Sequence, residues 1–157
     1  MLTCTIPTLY GLMALRATPA GLCGLAPATD NVAVAPATPL LREAAAQLAA
    51  YFEGRLRRFD LPLDWTGATP FRKQVWSALM EIPYGRTTSY SELAERLGNP
   101  LAVRAVGTAN GANPIAIVVP CHRIIGKDGS LTGYAHGLAM KRGLLELEGV
   151  LARGLFG

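Results

Sequence analysis

Apolar and polar positions alternate in short runs at the start of the chain, then change to helical spacing. Leu2–Thr8, Leu12–Ala17 and Leu22–Ala26 read as strands separated by Tyr10-Gly11 and Pro19–Gly21. Glycine and proline at that spacing predict a small antiparallel sheet. Asn31–Pro39, rich in Ala, Pro and Thr, reads as a loop. Leu40–Arg58 then reads as a helix, with Leu41, Ala44, Ala45, Leu48 and Phe52 recurring on one face. Asp60–Gly67, holding Pro62, reads as a linker.

A second set of helical patterns follows. Thr69 can cap a helix whose first position suits Pro70, and Phe71, Val75, Trp76 and Leu79 form its apolar face. Ile82-Pro83-Tyr84-Gly85 ends it. Ser89 and Glu92 are spaced as a capping box for a short helix, Tyr90–Leu97, which stops at Gly98. Asn99-Pro100 is expected to start the next helix, Pro100–Asn110. Two short helices joined by a tight Gly-Asn turn predict a helix-turn-helix. Ile115–Val119 is a continuous apolar run, a buried strand or extended segment. It leads into Pro120-Cys121-His122-Arg123, a glycine-punctuated loop at 126–137 and a last helix, Leu138–Leu147, ending at Gly149. The expected class is α+β: a small N-terminal antiparallel sheet with a helix (1–65), then a mostly helical C-terminal domain with a helix-turn-helix (66–157).

Charge adds a partner class. Residues 1–65 carry five basic and five acidic residues, whereas 66–157 carry ten and six, so the second half holds the whole +4. A basic half fits a polyanionic partner and equally fits ordinary solubility. Three cysteines, Cys4, Cys23 and Cys121, argue against a disulfide framework and for a reducing compartment. No basic-then-apolar leader and no run of eighteen apolar residues is present, so an intracellular chain with no membrane span is expected.

Cys121-His122 is the candidate chemical centre. A thiol is mostly protonated at neutral pH and needs a base or cation nearby to act as a nucleophile. A neighbouring imidazole can serve, and a carboxylate that orients it completes a triad. Glu148 is the best-placed carboxylate. On its own, the pair is equally compatible with a structural cysteine beside a satisfied histidine. Pro120 fixes its φ and forces a sharp exit that can present Cys121. Asn113 can brace that turn with its amide or simply form a loop. On the second helix of the helix-turn-helix, Ala102, Ala105, Gly107 and Thr108 offer little that can read base edges. They allow close approach to a phosphate backbone. Arg104 is the one long side chain there, suited either to entering a base stack or to lying in solvent.

Together these residues resemble the O6-alkylguanine-DNA alkyltransferase family, the methylated-DNA–protein-cysteine methyltransferases. The resemblance runs from Thr69 to Gly149 and is sharpest at Pro120–Arg123, with Asn113-Pro114 before it and Gly133-Tyr134 after it. It implies double-stranded DNA containing O6-alkylguanine as the partner, O4-alkylthymine as a further candidate substrate, and no cofactor. It implies that Cys121 accepts the alkyl group once, irreversibly. His122 would be its base through a bridging water, Glu148 would hold the imidazole and Asn113 would brace the turn. Tyr90 would turn the target phosphate and donate at guanine N3. Arg104 would replace the extruded base, and Arg123 would join Ala102, Ala105, Gly107 and Thr108 at the DNA. Tyr134 would wall the pocket and Lys141 support it. Backbone groups near Val119, Cys121 and Ile124 would read the guanine edge, and the Ala135 N–H would face O6. A monomer is implied, with cooperative binding along DNA left open, in a cytoplasm with access to the nucleoid.

Two departures stand out. His136 occupies a position where glycine is commoner, and is expected to narrow the pocket. Ala135 lacks a hydroxyl often found there. Cys4 and Cys23 are too few for a structural zinc site, so no metal is expected. The alternative function is a non-enzymatic binder of alkylated DNA, a class that lacks the acceptor cysteine that Cys121 supplies.

Overall fold

A computed structural model describes residues Met1–Ala152; residues 153–157 of the expected second domain lie outside the described residues. The chain divides into two units: Met1–Thr66 with Pro114–Val118, and Gly67–Asn113 with the described residues from Val119 onward.

In the first unit, strands β1 (Leu2–Thr8), β2 (Gly11–Thr18) and β3 (Gly21–Pro27) form an antiparallel sheet in the order β1-β2-β3. Met13, Leu15 and Ala17 of β2 alternate inward, facing the same side as Cys4 and Ile6 of β1. Gly21 is required by a close approach: a Cβ there would lie 2.7 Å from the Pro62 carbonyl oxygen. Helix α1 (Pro39–Phe52) is capped by Thr38, whose hydroxyl accepts the Leu41 N–H. It ends six residues before the expected Arg58. Gly54, at φ +76, turns the chain left-handed, and the Gly54 and Arg55 amides return to Tyr51 and Ala50. That is a Schellman stop, and Glu53-Gly54 is its signal. The buried stripe is Leu41, Ala44, Leu48 and Tyr51; Ala45 and Phe52 lie at its edge.

The 115–119 run is buried but is not a strand. Ile115 makes one bridge to Leu25, after which the chain turns at once. The Val118 N–H donates to the Ala116 carbonyl at 2.8 Å around Ile117, whose φ is +71. This γ-turn strains a β-branched residue by about 1–3 kcal/mol.

In the second unit, Thr69 caps α2 (Pro70–Met80) through the Arg72 N–H. Val75, Trp76, Ala78 and Leu79 are buried, whereas Phe71 is half-buried. Strand β4 (Thr88–Ser89) pairs in parallel with β5 (Ile124–Ile125) and leads directly into α3 (Tyr90–Arg96). Ser89 accepts the Glu92 N–H, but the Glu92 carboxylate accepts from Thr88 Oγ1, so only half of the capping box forms. Helix α4 starts three residues later than expected, at Val103, and runs to Gly111. Asn99 to Ala102 instead close a turn, with the Ala102 N–H on the Asn99 carbonyl. Helix α5 (Leu138–Leu147) ends as expected, with Gly149 at φ +78. No described helix is long and apolar enough to cross a membrane.

Candidate active site

The site lies within the second unit and begins with the turn at Pro120. Its φ of −81° and ψ of 63° place it at the centre of an inverse γ-turn, closed by the Cys121 N–H on the Val119 carbonyl at 2.8 Å. The Asn113 side-chain amide donates to the same carbonyl at 2.8 Å, so the expected brace is in place. A single 3-10 turn, Cys121–Arg123, follows. Three residues per turn send consecutive side chains in different directions. Cys121 lines a cavity, while His122 and Arg123 meet Glu148.

Glu148 caps the C-terminus of α5, where the helix dipole disfavours a negative charge. Its carboxylate is fully buried and is held by cationic and imidazole donors. His122 Nε2 lies 2.8 Å from Oε2, Arg123 Nε donates to Oε1 at 2.8 Å, and Arg123 Nη2 donates to Oε2 at 3.0 Å. Burial alone would raise the Glu148 pKa, but these bonds and the adjacent charges hold it at about 2. Burial, with the Arg123 and Lys141 charges, lowers the His122 pKa against the pull of Glu148. At neutral pH the carboxylate is therefore ionised and can only accept. Nε2 then carries the imidazole proton and Nδ1 is a bare acceptor. Nδ1 is buried and has no hydrogen-bond partner among the described residues.

Arg123 corrects an expectation. Placed at the DNA by the sequence reading, it is only 7% exposed. Its guanidinium donates to Glu148 and, through Nη1, to the Ile82 carbonyl at 2.6 Å. It holds the triad instead.

Burial raises the Cys121 thiol pKa; the Asn113 amide, its own backbone N–H, the Lys141 charge and the Tyr134 hydroxyl all oppose that rise. Lys141 is fully buried, and its ammonium donates to the Thr132 carbonyl at 2.9 Å and to that of Gly133 at 3.3 Å. Burial lowers its pKa to about 8, still protonated at neutral pH. Tyr90 donates to the same Thr132 carbonyl at 3.2 Å. The 132–136 loop is thus tied to both Tyr90 and Lys141.

These contacts enclose a cavity of about 380 Å³ lined by Tyr90, Gly107, Asn110, Gly111, Asn113, Cys121 and Thr132–His136. That volume is within the range of small-molecule sites. Of the expected pocket residues, Tyr134, Ala135 and His136 line it; Val119 does not, and its carbonyl instead closes the Pro120 turn. His136 sits edge-on to the Tyr134 ring, centroids 5.5 Å apart. Ile124 is buried in β5 and does not line it; Lys141 secures its rim from behind. Gly107 also moves from its expected place: it lines the cavity against the Tyr90 ring. On the outer face of α4, Arg104, Ala105 and Thr108 are exposed and Ala102 half-exposed. The sequence reading missed Asn110, Gly111, Thr132 and Gly133. Asn110 stands three residues before Asn113, and Thr132-Gly133 directly precedes Tyr134; adjacency to known positions was the available signal. Among the described residues no group of three or more His, Cys, Asp or Glu could hold a metal ion.

Residues 70–150 match the family described as "6-O-methylguanine DNA methyltransferase, DNA binding domain", and residues 2–65 match "6-O-methylguanine DNA methyltransferase, ribonuclease-like domain". The chain is 61% identical over 108 residues to the methylated-DNA–protein-cysteine methyltransferase of Methanosarcina acetivorans, covering 69% of each chain. It is similar to the crystal structure of Mycobacterium tuberculosis OGT in complex with DNA, with a TM-score of 0.82 at 49% identity, covering 92% of this chain and 90% of that one. The O6-methylguanine-DNA methyltransferase of Pyrococcus kodakaraensis aligns with a TM-score of 0.68 at 26% identity, covering 94% and 98%.

Proposed function

The chain belongs to the 6-O-methylguanine DNA methyltransferase family, and from that premise we propose that Cys121 is its alkyl acceptor. The protein repairs DNA by transferring an alkyl group from the base to a cysteine of its own. The substrate in this reading is double-stranded DNA containing O6-alkylguanine, met by one copy of the chain at the nucleoid in the cytoplasm. The second unit, Gly67–Asn113 with the described residues from Val119 onward, carries DNA binding and chemistry, and the first unit is a supporting domain.

One observation carries the assignment: Cys121 lines a base-sized cavity and is followed by a buried imidazole whose Nδ1 is bare because its one ring proton sits on Nε2, which donates to Glu148. A base inside a duplex cannot reach this thiol, so the nucleotide must leave the stack, at a cost of a few kcal/mol. The exposed Arg104 on α4 fills the gap, while Ala102, Ala105 and Thr108 let the helix approach the backbone closely.

In the cavity, the Cys121 proton passes by way of a bridging water to His122 Nδ1. Glu148 stabilises the resulting imidazolium. Lys141 and the Tyr134 hydroxyl favour the thiolate. Sulfur then attacks the alkyl carbon. The Sγ–C bond forms, the C–O6 bond breaks, and its electron pair goes to O6 and the purine ring. Tyr90 donates at N3 and the Ala135 N–H at O6, quenching that charge. The purine gains one proton in all, matching the one lost by the thiol. The product is a thioether, which has no carbonyl for water to attack. Each molecule therefore reacts once.

The test is intact mass and peptide mapping after incubation with a duplex containing O6-methylguanine. One methyl group on the Cys121 peptide, saturating at one equivalent, is expected, and Cys121→Ala should bind the duplex without gaining it. Methylation elsewhere, or repeated turnover, would overturn the assignment.

A further inference from the structure

Leu101 is 94% exposed, the highest value for any large apolar side chain among the described residues. Apolar side chains scattered singly over a surface are ordinary. Leu101 differs in its place. With Arg104, Ala105 and Thr108 it follows the i, i+3, i+4, i+7 spacing of one helical face, and all four are exposed. Val106, Ala109 and Asn110, on the other side of α4, are buried. Leu101 itself lies in the turn before α4, one residue ahead of the N-cap. That turn is fixed: Pro100 sets its own φ, and the Ala102 N–H donates to the Asn99 carbonyl at 3.0 Å. The leucine is displayed on a preformed turn, so little freedom is lost when a partner covers it.

The same stripe says what covers it. Helix α4 has no acidic residue, and the Arg104 guanidinium has no partner among the described residues. That face fits a polyanion. A leucine cannot pair with a phosphate or with a base-edge acceptor, so its contact on DNA is apolar. A duplex offers such surface on the deoxyribose faces of the minor groove and on the face of a base step that a kink has opened. Three residues advance about 4.5 Å along a helix and a base step about 3.4 Å, so the two positions address neighbouring steps. We infer that Leu101 is an apolar wedge: it presses against the sugar and base faces at the step next to the gap that Arg104 fills, and helps to hold the nucleotide out of the stack. The inference rests on the proposed function and adds to it a DNA contact that carries no charge.

The experiment measures binding to a duplex with one O6-methylguanine across a salt series, and single-turnover methylation by that duplex and by the free O6-methylguanine base. Leu101→Ala is expected to weaken binding and slow duplex repair about tenfold, the size expected when most of a covered leucine is removed. The slope of log affinity against log salt should not change, because no phosphate contact is lost. Leu101→Met, similar in volume and equally apolar, should bring both quantities back to within about threefold of wild type. Reaction with the free base should be the same in all three proteins. Binding and duplex repair by Leu101→Ala within about twofold of wild type overturn the inference, since a covered leucine is worth more than that. Equal slowing on duplex and free base also overturns it, as the mark of a disturbed fold. So does a wild-type dimer in solution that Leu101→Ala dissolves, as the mark of a second copy covering this face. A wild-type chain that binds no alkylated duplex overturns instead the function on which the inference rests.

Discussion

Replacing Glu148 by Gln removes one charge and almost no volume from the centre of the site, and its cost can be worked out from the structure. The carboxylate accepts three hydrogen bonds, one from His122 and two from Arg123. A glutamine offers one oxygen and one NH₂, so at least one of those donors faces another donor. Arg123, 7% exposed, keeps its charge without a counter-ion. Breaking a buried pair in this way costs about 3–5 kcal/mol. Linkage gives an independent figure. A carboxyl held at about 2 rather than its ordinary 4.5 ionises more readily in the folded chain, so ionisation favours folding. At about 1.4 kcal/mol per tenfold in acidity, the contribution is about 3 kcal/mol. It is complete above pH 4.5, declines as the pH falls, and is gone below about 2. Urea unfolding of both proteins from pH 7 to pH 2 is the assay. At pH 7 the midpoint of Glu148→Gln should fall by about 1–3 M for ordinary urea sensitivity. The gap between the two proteins should close between pH 4.5 and 2. Alkyl transfer should slow by about a hundredfold or more, because an amide NH₂ on Nε2 moves the imidazole proton to Nδ1 and removes the base. A stability loss under about 1 kcal/mol, or a gap that stays constant down to pH 2, would refute the reasoning.

Three other outcomes are expected. Arg104→Ala should slow repair of duplex DNA by about tenfold or more, since the extruded base leaves an unfilled gap costing a few kcal/mol; reaction with free O6-methylguanine base, timed in parallel, should change little. Tyr134→Phe removes a hydroxyl beside Cys121 that favours its thiolate. Its rate–pH curve, which rises as thiolate forms, should shift to higher pH, with the rate at pH 7 falling about tenfold. His136→Gly removes the ring packed edge-on to Tyr134. Competition between O6-benzylguanine and O6-methylguanine oligonucleotides should show the benzyl-to-methyl rate ratio rising by about tenfold.

What the chain determined unaided was local. The three strands, the Thr69 and Ser89 caps, and the Gly98 and Gly149 stops were legible because each depends on residues within a few positions of one another. The Pro120–Arg123 motif and its Asn113 brace were legible for the same reason, since six residues separate Asn113 from the carbonyl it holds. Short-range errors had short-range causes: the Glu53-Gly54 stop was overlooked, and Asn99-Pro100 closed a turn where a helix start was expected. Only the tertiary structure decided what each long polar side chain does. Arg123 and Arg104 are the same residue type, each in a basic half, and nothing nearby in sequence separates them. One is drawn inward because Glu148, twenty-five residues away, needs a buried counter-charge at a helix end. The other lies on the open face of α4. Burial likewise lowered the pKa values of His122 and Lys141 and left the Asn110 oxygen unpaired among the described residues. Desolvation depends on every group that packs around an atom, and those groups come from parts of the chain that meet only in the folded state.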